Sequence, residues 1–457
     1  MTRAGWKAYG LAAAASALWA IVAGGETLTA DRAVQLALRQ NIQVIGAEAN
    51  LLDARGGMYG AWSPLLPHLS ASLSRFGTDI SNEKGGRNVG GGLTPTISSD
   101  FVAYGTTPSV GGSWSFLNLS SIAGFSSARG ALKAARLSRD AIRSQVALDA
   151  RRQFYEVVKA VRLAQVATGA LHLARDDERR VRALFEVGSV SRSDLLKAQV
   201  RTAQSELDSL TASQTVIVQR ITLAGLVGVK ETEMGEVDTV LAVEPQDYDE
   251  GRLLSEASSA RPDIKAADAD VKAAQARLNS ARFSRLPYVT ASASVDFNTR
   301  SRSTSGIDPP GAPPLFTPGK AGSSSETDRQ FSGQVALNWN VFDGLQTDSR
   351  IASARAQVMR ARADRDALRR NLESEVHQAL IAYREAVERD KVARRALESA
   401  TENLKLTQEK YNVGSATVLE LIDAQVQLQR AQSDGVSALA AIRVAEAQLD
   451  RVRGRAE

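Results

Sequence analysis

The sequence predicts an α+β chain made mainly of long α-helices, with four β-strands of membrane type. Two stretches, about Ser126 to Phe185 and Thr347 to Asn412, contain no proline and hardly any glycine. Four shorter segments alternate apolar with small polar residues, and the whole plan occurs twice along the chain.

The long stretches are built from Ala, Arg, Glu, Gln and Leu, which are strong helix formers. About sixty residues at 1.5 Å per residue reach roughly 90 Å, far more than a bilayer core. Narrow apolar stripes mark them, as in Leu380, Tyr383, Val387, Val392 and Leu397. Apolar residues make up 43% of the chain but aromatics only 5%, a balance that suits helices meeting through narrow seams better than a thick core.

The repeat is visible in residues. Phe185-Glu-Val-Gly-Ser189, running on to Asp194-Leu-Leu-Lys-Ala-Gln-Val200, returns 226 residues later as Tyr411-Asn-Val-Gly-Ser415 and Glu420-Leu-Ile-Asp-Ala-Gln-Val426. Ser63-Pro-Leu-Leu-Pro-His-Leu-Ser-Ala-Ser72 has its echo 220 residues later in Phe283-Ser-Arg-Leu-Pro-Tyr-Val-Thr-Ala-Ser292. Two matches at nearly one offset predict an internal duplication. The first structural repeat is expected over 26–228 and the second over 251–457, with an acidic, irregular equatorial segment at 229–250. Each repeat reads as helix, Leu-Pro stop, strand, Gly/Ser/Pro-rich loop, strand, long helix, Val-Gly turn and helix. The opening helices are expected over about Thr29 to Trp62 and Asp249 to Arg285, ended by Pro67 and Pro287.

Strands are predicted at about 68–76, 108–118, 287–298 and 330–342. Val289, Ala291, Ala293, Val295 and Phe297 alternate with Thr290, Ser292, Ser294, Asp296 and Asn298. Phe331, Val335, Leu337, Trp339 and Val341 do the same on the return. The first pair is weaker: Leu69, Ala71 and Leu73 alternate with serines, and Val110, Gly112, Trp114 and Phe116 form the returning face. The intervening loops, about Gly77 to Thr107 and Thr299 to Arg329, include Pro309-Pro-Gly-Ala-Pro-Pro314, and no secondary structure is assigned there.

Residues 1–25 read as a secretory signal peptide: Arg3 and Lys7, an apolar run from Leu11 to Val22, then Ala23, Gly24 and Gly25. No transmembrane helix is expected after residue 25, and any membrane crossing falls to strands. The chain has no cysteine, which excludes disulfides and thiol-linked lipidation. The net charge of +5 is spread along helices among Glu and Asp, so no nucleic-acid partner is expected. His68, His172 and His377 lack a second ligand at metal spacing, and no catalytic motif or cofactor loop occurs. The reading is a non-enzyme without metal or cofactor.

An apolar face opposite a small polar face matches a bacterial outer-membrane barrel strand, with lipid outside and water inside. Ordinary sandwich hairpins share the alternation, and a periplasmic structural or adaptor-like coiled coil without a pore accounts for the helices alone. Two amphipathic hairpins at matching points favour the barrel. Four strands cannot close one, and an open edge cannot sit in hydrocarbon, so copies must combine.

The repeated order, the two Leu-Pro strand openings, Trp339-Asn-Val-Phe-Asp-Gly344 and Tyr411-Asn-Val-Gly-Ser415 together resemble the TolC-like outer membrane efflux protein family, over nearly the whole chain after residue 25. The resemblance implies a homotrimer with a twelve-stranded barrel in outer-membrane lipid and a periplasmic helical tunnel. It implies passive export in a tripartite efflux or type I secretion system, with a periplasmic adaptor and an inner-membrane transporter of RND, ABC or MFS type. It makes Val187, Gly188, Ser189, Val413, Gly414 and Ser415 the adaptor-contacting tips. Glu420 and Asp423, three residues apart on one helix face, become an acidic ring at the pore entrance, whose repulsion would raise some of its pKa values. The helix dipole alone also favours carboxylates there. Tyr411, Ser193 and Asp194 are implied as a hydrogen-bonded latch; the family's best-known member adds an arginine where this chain has Ala416.

Overall fold

The computed structural model describes residues 27–80, 100–241, 244–305 and 322–455. The signal-peptide reading, the Pro309–Pro314 run and the centres of both strand-connecting loops lie outside them. The element order is α1 (Ala30–Gln40), α2 (Ile42–Trp62), β1 (His68–Ile80), β2 (Asp100–Phe116), α3 (Leu119–Glu186), α4 (Arg192–Val227), α5 (Glu250–Ala260), α6 (Pro262–Phe283), β3 (Tyr288–Ser305), β4 (Gly322–Asn338), α7 (Gln346–Asn412) and α8 (Val418–Val452). Two compact units emerge, one of Met1–Leu52, Lys133–Asp268 and Ala363–Glu457, the other of Asp53–Leu132 and Ala269–Arg362.

The second unit carries the sheet, antiparallel throughout in the order β1-β2-β3-β4. The register places Ser70 beside Gly111, Gly111 beside Ser294 and Ser294 beside Ser332, so hydroxyls and glycine line one face. Leu69, Leu73, Val110, Phe331, Val335 and Leu337 line the other and are uncovered: Leu69 is 82% exposed and Val335 71%. All four strands reach further into the loops than alternation indicated. Strand β4 ends at Asn338, so Trp339 and Val341 lie beyond it. The reason is local: the Trp339 indole donates to the Arg285 carbonyl (3.1 Å), and the Asp343 carboxylate accepts from the Thr347 amide (2.9 Å), capping α7. The first hairpin does the same, with the Trp114 indole donating to the Leu65 carbonyl (3.0 Å) and Asn118 capping α3 through the Ser121 amide (3.1 Å). Against α6, α3 presents small residues; Ser120 donates to the Ser280 carbonyl (2.9 Å), Ser280 to the Ser120 carbonyl (2.8 Å) and Ser127 to the Ala273 carbonyl (2.9 Å).

The first unit has two matching cores. Ala33, Val34 and Ala37 of α1 pack with Val146, Phe154 and Val157 of α3 and Leu223 and Val227 of α4. Leu253 and Ala257 of α5 pack with Val376, Leu380 and Tyr383 of α7 and Ile442 and Leu449 of α8. Of the stripe read on α7, Leu380 and Tyr383 are buried while Val392 is exposed. Neither opening helix is continuous, contrary to expectation. Asn41 is extended, its amide group donating to the Leu226 carbonyl and its side-chain oxygen accepting from the Gln43 amide, both at 2.8 Å. Arg261 is extended because Pro262 follows it, and the proline starts α6. The segment between the repeats is strapped down: Leu28 forms a parallel bridge to Val237, Arg162 donates twice to the Thr239 carbonyl (2.9 and 3.0 Å), and Tyr383 donates to the Gln246 carbonyl (3.1 Å).

Helix α4 qualifies the expectation that no helix could cross a membrane. By length and composition it passes, with an eighteen-residue window of mean hydropathy 1.2. Its apolar half nonetheless carries Arg220, which is paired with Glu231 at 2.9 Å. Leu223 and Val227 belong to the first core, while Leu207, Leu210, Val218 and Ile221 are exposed.

At the second helix break Arg261, only 6% exposed, holds Asp263 (3.0 Å from Nε) and Glu375, and Arg451 reaches the same Glu375 at 2.5 Å. Burial alone would raise both carboxyls. The Arg261 hydrogen bonds and charge, joined at Glu375 by Arg451, outweigh it and hold both below the usual carboxylate range. The stability they contribute is therefore present above about pH 4 and lost as pH falls through their depressed values. Glu375→Gln leaves Arg261 short of a buried partner and is expected to cost about 3 kcal/mol. Denaturant unfolding followed by helical circular dichroism checks this, and the variant's stability should change less on acidification than the parent's.

Candidate functional site: the paired helical hairpins

Helices α3 and α4 form one hairpin and α7 and α8 another, and their turns are built alike. At the first, the Ser189 amide donates to the Leu184 carbonyl (2.8 Å) and Gly188 to Phe185 (2.9 Å); at the second, Ser415 donates to Lys410 (2.9 Å) and Gly414 to Tyr411 (3.1 Å). This six-to-one, five-to-two pattern is the Schellman helix end, which needs a left-handed residue. Gly188 and Gly414 supply it, both at φ +78°. Val187 and Val413 are exposed beside them, and so are Ser189 and Ser415.

The outgoing helices are capped at matching positions. Ser191 accepts from the Asp194 amide (3.2 Å) and its hydroxyl donates to the Asp194 carboxylate (2.7 Å). Thr417 accepts from the Glu420 amide (3.2 Å) while the Glu420 carboxylate accepts from the Thr417 amide (2.7 Å), a full capping box. The Thr417 amide thereby holds the Glu420 carboxyl below the usual range; the rise expected from repulsion is a property of a ring of copies. Asp423 is exposed on the same helix, accepting from Gln427 at 2.6 Å. Glu420 and Asp423 thus sit at the surface near the turn, with Glu420 already engaged as a cap.

No hydrogen bond joins Tyr411 to Asp194 or Ser193. Asp194 serves Ser191 and Lys197 (3.2 Å), Ser193 is exposed, and the Tyr411 hydroxyl is buried without a partner. Tyr411 packs instead among Val181, Ala198, Val418 and Ile422, and burial pushes its pKa up.

Deeper in the seam lies a polar cluster that the sequence reading did not single out. Gln425 of α8, 5% exposed, donates to the Asp177 carboxylate of α3, and Arg201 of α4 donates to Gln429 of α8 at 2.7 Å. Burial raises the Asp177 pKa, with the Gln425 hydrogen bond opposing it. The signal was present. Ala174, Asp177 and Val181, then Ala198, Arg201 and Ser205, then Val418, Leu421 and Gln425 all follow the three-four spacing of a buried helix face. A polar residue interrupts each apolar stripe, and these interruptions meet.

The outer membrane efflux protein family profile matches residues 253–455. Protein CyaE of Bordetella pertussis is 30% identical over 296 residues, 62% of this chain and 56% of that protein. Nodulation protein T of Rhizobium leguminosarum bv. trifolii is 26% identical over 256 residues, 54% of this chain and 50% of that protein. Over residues 253–455 the chain is thus similar to the outer membrane efflux protein family. It spans about half the length of these curated relatives. The fold likeness is wider: the CmeC outer membrane channel of Campylobacter jejuni superposes with a TM-score of 0.76, covering 93% of this chain and 86% of that one, at 16% identity. At that identity the match speaks for the fold, a TolC-like arrangement of long helices and an antiparallel sheet. The matched family and the CmeC channel are both described as outer-membrane proteins.

Replacing Gly414 by Val forces a β-branched residue into left-handed backbone and is expected to cost about 1–2 kcal/mol. Thr417→Val, which removes the cap, should cost about 1 kcal/mol. Hydrogen exchange of the amides flanking the turn checks both, with faster exchange at the ends of α7 and α8.

Proposed function

We propose that three copies of this chain close one twelve-stranded barrel and continue it as a helical tunnel, forming the exit duct of a tripartite efflux or type I secretion system. The observation that carries this is the sheet: an apolar face exposed along β1 and β4 and backed by hydroxyls, with β1 and β4 unpaired at their outer edges among the described residues. Such edges are satisfied in lipid only by the strands of another copy. The uncovered stripe of Leu207, Leu210, Val218 and Ile221 on α4 supports the same assembly along the helices. The matched element order in 26–228 and 251–457, about the segment 229–250, supports an origin by duplication.

In this reading passage is passive, and energy comes from the inner-membrane transporter through a periplasmic adaptor. The exposed turns at Val187–Ser189 and Val413–Ser415 are the surfaces the adaptor meets. Three copies of Glu420 and Asp423 ring the entrance and favour cations there. The latch reading of Tyr411, Ser193 and Asp194 requires Asp194 to leave its cap.

Outer-membrane fractions run unheated on denaturing gels are expected to show a trimer band that collapses on boiling. A soluble periplasmic monomer would instead favour a pore-less coiled-coil rod. In planar bilayers Glu420→Gln with Asp423→Asn should lower cation selectivity and weaken block by divalent cations; unaltered reversal potentials would remove the acidic ring.

A further inference from the structure

Along the apolar face of the sheet the first charged side chains are Arg75 of β1 and Arg329 of β4, both exposed. From Leu337 to Arg329 the strand runs about nine residues, the length a tilted strand needs to cross a hydrocarbon core. Trp114 and Trp339 mark the end of this band beside the helices, and the two arginines mark the other. Each guanidinium lies over an aromatic ring, Arg75 at 6.0 Å from the centre of Tyr104 and Arg329 at 5.3 Å from that of Phe297. The rings hold both charges on this face. One register row continues from Arg75 through Thr106 and Thr299 to Thr327, which sets hydroxyls beside the charges.

Carboxylates stand elsewhere. Asp296, Glu326 and Asp328 lie on the opposite face, where Arg300 is the register partner of Glu326. At the helical end of the band Arg285 is paired with Asp348. Neither Arg75 nor Arg329 has an ion pair among the described residues.

We propose that Arg75 of one copy and Arg329 of the next form a shared site at each joint of the barrel, and that it takes the phosphate of an anionic lipid headgroup. This rests on the duct reading, which closes the barrel by setting β4 of one copy antiparallel to β1 of the next. Within one chain these strands lie three spacings apart, about 14 Å, whereas across a joint they are about 5 Å apart. Closure therefore gathers two positive charges that the single chain keeps separate. At the edge of hydrocarbon they repel strongly, and an anion held between them removes the repulsion. Guanidinium forks match phosphate oxygens, and the neighbouring threonines offer further donors. The ligand is a lipid because Leu73 and Phe331, exposed on the helical side of the arginines, suit acyl chains rather than a free ion.

Native mass spectrometry of the detergent-solubilised full-length trimer, titrated with phosphatidylglycerol, should show one lipid retained per joint. Arg75→Gln and Arg329→Gln are each expected to weaken retention at least about fivefold. The double variant should lose little more, because both charges serve one phosphate. Arg285→Gln, which removes a paired charge, should retain the lipid like the parent, and oleate, an anion without phosphate, should be held weakly by all. Retention by the double variant equal to the parent's, additive losses in the single variants, or oleate held as tightly as phosphatidylglycerol would overturn the site. The heat-sensitive trimer band of each variant checks assembly. A parent without that band overturns the duct reading, whereas a parent trimer that retains no phosphatidylglycerol overturns the site alone.

Discussion

A helix of 67 or 68 residues satisfies its own backbone but offers only a narrow apolar stripe, and the rest of the helical unit exists to cover that stripe. Helices α1 and α4 do so for α3, and α5 and α8 do so for α7. Small residues make the close approach possible. The covering helices end on left-handed glycines, Gly228 and Gly454, each pressed against the break in the opening helix, where a side chain would crowd Gln40 or Ala260. The breaks at Asn41 and Arg261 and the ends of α4 and α8 are thus one construction made twice. In the second copy a charged network supplies what an amide supplies in the first.

The same economy explains the entrance. Each hairpin reverses through a Schellman end and restarts on a cap, which uses Ser191, Asp194, Thr417 and Glu420 for local backbone work. Side chains assigned to regulation by resemblance are thereby partly committed already. What joins the hairpins has to come from deeper positions, where each stripe gives up apolar residues to polar ones. Polar groups in such seams restrict the chain to one register, at a cost in stability.

Much of this was legible in sequence because it rests on local rules. Proline after leucine ended the opening helices, alternation gave the two faces of the sheet, and Val-Gly marked the reversals. The helix breaks were less visible. Asn41 breaks its helix through a bond to Leu226, 185 residues away, which no local pattern reports. Pro262 did carry a local signal, because the residue before proline avoids helical backbone. The end of β4 depended on Trp339 turning to Arg285, again a distant partner. The Asp177 and Gln425 pair lay in plain periodicity, but only the packed helices bring those two positions together.

The tryptophans have a consequence for watching this protein fold. Beyond residue 25 there are three, Trp62, Trp114 and Trp339, and all sit where helix gives way to strand. Trp62 stacks on Phe125 with ring centres 4.7 Å apart, and the other two indoles bond to the carbonyls of the Leu-Pro reversals. The described residues of the helical unit contain none. Emission from these three tryptophans therefore reports the junctions of helix and strand, while circular dichroism is dominated by the helices. The two signals follow different parts of the fold, one the helix–strand junctions and the other the helices.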